Sequence, residues 1–311
     1  MKILILGAGV QGTLYGVRLA RAGHEVMLIA RGKRAEELRV RGAVIEHAPS
    51  ARVDTVRLTV MEQLSPGSCA DVCLVTVRRE QMDEAVAELR LSPLIARVVF
   101  MVNHANGSQE IFEALGRSRA VMAFPGAGGS LEAGVVRYVE TREQPTAVEA
   151  DAKDVIALFQ GAGFQVGCVR DMDAWLRRHA VFVTAVCGAL YLASGSAARL
   201  VADWKGVERL ILAVREGWSA LDELGVRPAP FALRTIFCWV PLRFAIGYWQ
   251  RFLGSSRGEL YFAAHARHAP AEMAALATDI RRLLNDAPMP CLGSLYAAID
   301  EAVLDSQRGL R

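Results

Sequence analysis

Residues 2–12, KILILGAGVQG, decide the first half of the fold. Lys2–Leu6 is an apolar run of strand length, and a helical pattern follows over about Gln11–Ala22. Between them Gly7, Gly9 and Gly12 stand in G-x-G-x-x-G spacing. That spacing alone is common, but between a strand and a helix each glycine has a task. Gly7 permits the tight turn, Gly9 lets a ligand approach the backbone, and Gly12 lets helix and strand pack closely. The N–H groups of the helix start, where Val10 and Gln11 lie, favour an anion because the helix dipole stands behind them. The reading is a βαβ unit that binds a dinucleotide pyrophosphate. Its rival is a glycine-rich turn without a ligand.

Working outward, Glu25–Ala30 reads as a second strand and Arg34–Arg41 as a short helix. Asp71–Val77 is a strand ahead of the helical Glu80–Leu89, and Arg97–Val102 and Ala120–Phe124 are further buried strands. Continuous apolar strands alternating with helices indicate a parallel sheet covered on both faces. Gly126–Gly134 reads as a glycine-rich turn, Val135–Thr141 as a half-exposed strand, Asp151–Gly161 as a helix capped by Asp151, and Phe164–Val169 as a strand. From Asp171 only helical spacing remains, over Trp175–Ala193, Gly206–Leu224, Ala271–Asn285 and a shorter Leu295–Leu304. The expected class is α/β, with a Rossmann-type parallel-sheet domain over residues 1–170 and an all-helical domain over residues 171–311.

Composition narrows the partners. Hydrophobic residues make up 52% and charged residues 22%, which excludes extended disorder. A net charge of +3, from 36 basic and 33 acidic residues, makes no case for nucleic acid. The longest apolar run, near Ala180–Ala198, is broken by Thr184, Gly188, Ser194 and Gly195 and falls short of the roughly 20 residues of a membrane span. It reads as a helix buried among others, or as a dimer contact around Val181–Leu192. Glycines stand where a signal peptide would keep its apolar core. The six cysteines are spaced too widely for a zinc site or a disulfide framework and read as reduced, mostly buried thiols. The expectation is a soluble, cytoplasmic, metal-free protein.

The end of the second strand selects the cofactor. NAD-binding proteins place an acid there for the ribose 2′-OH, whereas this chain has Ala30-Arg31-Gly32-Lys33-Arg34 and no acid before Glu36. A guanidinium at Arg31 suits a 2′-phosphate, so NADP(H) is expected. Alternatively, Arg31, Lys33 and Arg34 form a solvated loop.

With the glycine turn, Arg31, Arg78 in LVTVRREQ and Asn106-Gly107 in MVNHANG in view, the chain resembles the ketopantoate reductase (2-dehydropantoate 2-reductase) family. The resemblance implies a Rossmann domain, a helical C-terminal domain, and NADPH delivering hydride to the carbonyl of a 2-keto acid in a cleft between them. It makes Arg78 a ligand of an anionic substrate or cofactor phosphate, and Asn106 a partner of a nicotinamide-ribose hydroxyl or a substrate carbonyl. A solvated arginine and an ordinary Asn-Gly turn are the plainer alternatives. The family pattern continues with a Trp, a Lys two positions later, and Asn four and eight residues beyond. Here these positions are Trp175, Arg177, Val181 and Ala185. Arginine hardly releases a proton, so the resemblance leaves Arg177 the role of stabilising a developing alkoxide. A pocket lined by Val181 and Ala185 would suit a more apolar carbonyl or imine. The family's Glu is matched by Glu259 in SSRGELYF, with Gly247 where the family has Ser twelve residues earlier. Arg177, Glu259 and Asn106 are thus the expected catalytic set. The rival functions are an opine- or imine-forming reductase and an NADPH-binding regulator without catalysis.

Other candidates are less specific. His179 lies two residues from Arg177, about 200° around a helix, so only one of the pair faces a site, and Arg177 is preferred. His104 either approaches the nicotinamide or sits exposed on its loop. His265 and His268 are expected to be an exposed pair. Trp239, Tyr248 and Trp249 read as ordinary core.

Overall fold

The structure is a computed structural model and describes residues 1–226, 231–285 and 287–309. The chain divides into two units, Met1–Val102 with Ser108–Met172, and Asn103–Gly107 with Asp173–Arg311. The short segment after the seventh strand thus belongs with the helices.

The first unit holds twelve strands: β1 (Lys2–Leu6), β2 (Glu25–Ile29), β3 (Ala43–His47), β4 (Arg52–Val56), β5 (Thr59–Met61), β6 (Ala70–Val75), β7 (Ile95–Met101), β8 (Ala120–Phe124), β9 (Ala127–Glu132), β10 (Val135–Glu140), β11 (Thr146–Glu149) and β12 (Val166–Val169). Its helices are α1 (Val10–Arg21), α2 (Gly32–Arg41), α3 (Met82–Arg90), α4 (Gln109–Leu115) and α5 (Lys153–Gly161). Eight strands make one sheet in the order β12-β11-β8-β7-β6-β1-β2-β5, parallel except for the β8–β11 pair. Ile3–Leu6 and Val72–Val75 are buried throughout, as strands covered on both faces must be. The Rossmann-type domain followed by helices is therefore the observed class.

A second sheet, β4-β3-β10-β9, is anticipated by the sequence only in β10, the expected half-exposed strand Val135–Thr141. It packs on α1, whose other side rests on β2. Gly12–Val17 are all buried as a result. The Gly126–Gly134 stretch is therefore mainly strand β9 rather than a turn. Asp151 also differs from expectation. Ala152 occupies the cap of α5, while the Asp151 carboxylate pairs with Arg117 at 3.4 Å.

The second unit is built from α6 (Met172–Leu192), α7 (Ala197–Ala202), α8 (Trp204–Glu223), α9 (Phe231–Arg234), α10 (Leu242–Leu253), α11 (Ser256–Gly258), α12 (Ala264–His268), α13 (Pro270–Leu284) and α14 (Pro290–Gln307). Wider π-helical turns occupy Thr235–Trp239 and Glu259–Ala263. Phe182 of α6 anchors an aromatic cluster with Phe237, Trp249 and Phe262, at centroid distances of 5.6, 5.5 and 5.5 Å. Trp249 is core as expected, but Trp239 and Tyr248 are exposed. On α10 the residues Ala245, Ile246, Trp249 and Leu253 face inward, and Tyr248, one step of about 100° away, faces out. The cysteines are also less buried than expected. Cys73 and Cys187 are enclosed, Cys291 is half-buried, and Cys69, Cys168 and Cys238 are exposed. Cys168 lies on β12, the edge strand, where the sheet gives less cover. Among the described residues no helix is long and apolar enough to cross a membrane.

Candidate cofactor site and polar cluster

The glycine turn is built as tightly as its spacing implies. Gly7 has a φ of +111°, and a Cβ there would lie 2.9 Å from the Thr76 carbonyl oxygen. A Cβ on Gly12 would lie 1.8 Å from the Gly7 carbonyl oxygen and 2.7 Å from Thr76 Oγ1. At Gly9, the cap of α1, a Cβ would meet nothing within 4 Å, so open space remains in front of the helix. The first turn of α1 contains no acid, which leaves its dipole free to meet an anion. Thr76, at the end of β6, donates to the Gly7 carbonyl at 2.9 Å and so ties the turn to the sheet. Sequence reading passed over it, although Thr at a strand end beside Arg78 was visible in LVTVRREQ. Gln11 donates from Nε2 to the Ala127 carbonyl at 2.7 Å, and its buried Oε1 has no partner among the described residues.

A cavity of about 570 Å³ opens on this turn, with Gly7, Gly9, Arg31, Lys33, Arg78 and Glu88 among its walls. Arg31 begins α2 and is exposed, with Nη1 3.4 Å from Glu84 and Nη2 3.0 Å from Glu88. Arg78 is exposed beside it. Arg34 is not a solvated loop residue. It donates from Nε to the Ala8 carbonyl and from Nη2 to Thr13 Oγ1, both at 3.0 Å, and from Nη1 to Gly134 and Glu37, both at 3.3 Å. Burial pulls its pKa down from the ordinary arginine value, partly offset by Glu37. Arg34 is a strut beneath the glycine turn, and it borders the cavity together with Arg31 and Lys33.

In the second unit the Asn103–Gly107 segment lies against α6. Arg177 donates from Nε to the Ala105 carbonyl at 3.2 Å. Gly107, with φ +91°, leaves room for the guanidinium, since a Cβ there would lie 2.9 Å from Arg177 Nη2. Arg177 and the Asn106-Gly107 turn are thus neighbours, and Asn106 itself is exposed. His104 is buried rather than exposed and donates from Nε2 to the Gly107 carbonyl at 2.6 Å. Glu259 lies elsewhere, paired with Arg267 at 2.5 Å.

A buried carboxylate also meets the 103–107 segment: Glu272, in the first turn of α13. It accepts from Asn103 Nδ2 at 2.8 Å, and its other oxygen lies 3.5 Å from His265 Nε2. Asn103 Oδ1 is buried without a partner among the described residues. His265 is therefore half-buried with its Nε2 facing the Glu272 carboxylate, unlike the exposed His268. Nothing in PAEM marks Glu272 as buried, because an acid in a first helical turn is normally a solvated partner of the dipole. Val181 and Ala185 are fully enclosed in the helical core. Among the described residues no group of three His, Cys, Asp or Glu side chains could hold a metal ion.

His179 is unsuited to proton donation at neutral pH. It is buried, stacks on Trp175 at 5.1 Å, and has a pKa pushed down to about 3 by burial first and by His265 second. Its native form is neutral while the unfolded chain takes a proton near pH 6.5. Stability is accordingly full above that pH and is lost as pH falls from about 6.5 toward 3, by up to about 1.4 kcal/mol per unit. All five tryptophans belong to the second unit, so tryptophan emission in urea titrations follows that unit alone. The pH slope in this window is expected to flatten in His179→Phe; an unchanged slope would exclude His179 as its source.

A family profile described as ketopantoate reductase PanE/ApbA matches residues 3–150. A 2-dehydropantoate 2-reductase of Pyrococcus horikoshii is 32% identical over 117 residues, which are 38% of this chain and 38% of that relative's length. Among solved structures, a PanE/ApbA family ketopantoate reductase from Ralstonia eutropha JMP134 superposes with a TM-score of 0.76 at 20% identity, covering 99% of this chain and all of that one (100%). A D-mandelate dehydrogenase solved with NADH and anilino(oxo)acetate gives a TM-score of 0.73 at 15% identity, covering 97% and 98% of the two chains. At such identities the superpositions establish a shared fold. Through residues 3–150, a little under half of its length, the chain is similar to the ketopantoate reductase family.

Proposed function

We propose that this chain is an NADP(H)-dependent oxidoreductase that reduces the carbonyl of a 2-keto acid or a related compound. The observation that carries this reading is the three-glycine cradle, in which Gly7 and Gly12 admit no Cβ while the space before Gly9 is open. Gly7, Gly9, Val10, Gln11 and Gly12 would hold the pyrophosphate against the start of α1. Arg31 and Arg78, on the cavity wall, would hold the phosphate of the adenosine end. The bound reduced nicotinamide supplies the hydride. Arg177 would stabilise the negative charge developing on the substrate oxygen, and Asn106 would orient the substrate or the ribose. The family's established members and the D-mandelate dehydrogenase support a 2-keto acid as the substrate class. Glu259, engaged with Arg267, has weaker support than Glu272 as the carboxylate of the site.

Titrations followed by nicotinamide fluorescence test the cofactor, and NADPH is expected to bind tighter than NADH. The opposite order would overturn the NADP(H) assignment. A panel of 2-keto acids that includes ketopantoate tests the reaction. At least one is expected to turn over in the ordinary enzymatic range of about 1–1000 per second. Tight NADPH binding without turnover of any panel member would favour a cofactor-binding regulator instead.

A further inference from the structure

The acid that NAD-binding proteins carry at the end of the second strand is missing from the Ala30–Arg34 sequence, yet carboxylates reach the same place from another element. Glu84 and Glu88 are one turn apart on α3, so they share a face. Both approach Arg31, at 3.4 and 3.0 Å, and both border the same cavity as Gly7 and Gly9. Arg31 Nε is engaged as well, with the Glu62 carbonyl at 3.4 Å. Every nitrogen of Arg31, the arginine at the end of the second strand, already has a protein partner.

We propose that Glu84 and Glu88 are selectivity-determining residues: they supply from α3 the acceptors for a ribose 2′-OH and oppose a 2′-phosphate at Arg31, so the chain uses both NADPH and NADH. The inference rests on the reading of this cavity as the dinucleotide site. A 2′-OH can donate to a carboxylate, whereas a phosphate dianion only accepts and is repelled by it. Exposed ion pairs are weak, so Arg31 can exchange Glu84 for a phosphate oxygen, but the two carboxylates remain close enough to repel the newcomer. The cations nearby do not cancel this effect. Arg34 is committed to Ala8, Thr13, Gly134 and Glu37, which leaves Lys33 and Arg78 to assist Arg31 against two acids. The resulting preference for NADPH is modest.

The test is a pair of dissociation constants, for NADPH and NADH, measured on wild type, Glu84→Gln/Glu88→Gln and Arg31→Ala. Glutamine keeps the shape of each side chain and one acceptor oxygen for a 2′-OH while removing the charge, its second oxygen becoming an NH2 donor. Wild type is expected to prefer NADPH by less than about tenfold, and the double variant to bind NADPH about tenfold tighter with NADH changed by no more than about twofold. Arg31→Ala is expected to weaken NADPH about tenfold and spare NADH. If Arg31→Ala acts as stated but the double variant leaves the NADPH-to-NADH ratio unchanged, or weakens NADPH, the carboxylates merely position Arg31 and the inference is wrong while the site stands. If no form of the protein binds either dinucleotide, the reading of the cavity fails and takes the inference with it.

Discussion

Gly12→Ala is expected to cost about 3 kcal/mol of stability and to weaken NADPH binding by about 100-fold, whereas Gly9→Ala should leave stability within about 1 kcal/mol and still weaken NADPH about tenfold. The two substitutions add the same methyl group, three residues apart in one turn. At Gly12 that methyl would meet a backbone oxygen at 1.8 Å and Thr76 Oγ1 at 2.7 Å. A carbonyl in the turn cannot rotate aside like a side chain, so α1 must lift from β1 and the N–H groups at its start lose their aim. Overpacking of this kind disturbs fold and site together. At Gly9 the methyl meets nothing, and the φ of −75° suits alanine. Its only effect is to occupy space that a pyrophosphate must enter. Circular dichroism in urea, measured without cofactor, separates the two cases from the fluorescence titration. Equal loss of stability in both variants would show that Gly9 is structural. Full NADPH affinity in Gly9→Ala would show that the open space before α1 is not where the anion binds.

That contrast also marks what can be read from a sequence. Gly7, Gly9 and Gly12 were legible because the turn is local: strand, glycines and helix follow one another, and their geometry depends on few distant residues. The second sheet, apart from β10, was not. Its strands β3 and β4 are five residues each and half-exposed, with charged residues scattered through them, so neither a buried run nor clean alternation announces them. Its strand β9 is disguised by glycine, which normally signals a turn. Gly129 is there because a Cβ would lie 2.5 Å from the Arg137 carbonyl and 3.0 Å from Val10 Cγ1, where the strand passes its neighbour and α1. The candidate site divides in the same way. Arg177 and the Asn106-Gly107 turn were singled out by the family resemblance, but their adjacency is a product of the chain path. Glu272 meets Asn103 across 169 residues of sequence, and the arrival of Glu84 and Glu88 at Arg31 depends on where α3 packs. Opposed charges from separate elements leave no periodic signal.

The hardest case is Arg177-Arg178-His179, which reads as a polar interruption in an apolar helix, and its second arginine is the site of the largest stability effect expected in the helical unit. Successive residues on a helix point about 100° apart, so the three side chains cannot share an environment. Arg177 turns toward the 103–107 segment, whereas Arg178 is only 2% exposed. Its Nη2 donates to Asp222 Oδ1 at 2.5 Å and to the Val226 carbonyl, and its Nη1 lies 3.5 Å from the Trp218 carbonyl. Trp218 returns a bond from Nε1 to the Arg178 carbonyl at 3.0 Å. The guanidinium thus serves carbonyls and a carboxylate around the C-terminal end of α8, where a cation is favoured by the helix dipole. Arg178→Ala would leave buried carbonyls unpaired and a cavity against Trp218, at a cost of about 3–5 kcal/mol. Arg178→Met fills most of the volume without the hydrogen bonds, and is expected to recover about 1–2 kcal/mol of that loss. Urea unfolding followed by tryptophan emission measures both, since all five tryptophans are in this unit. If Arg178→Ala unfolds within about 1 kcal/mol of wild type, the buried network contributes no more than a surface ion pair. If methionine restores full stability, packing against Trp218 rather than hydrogen bonding is what the arginine provides.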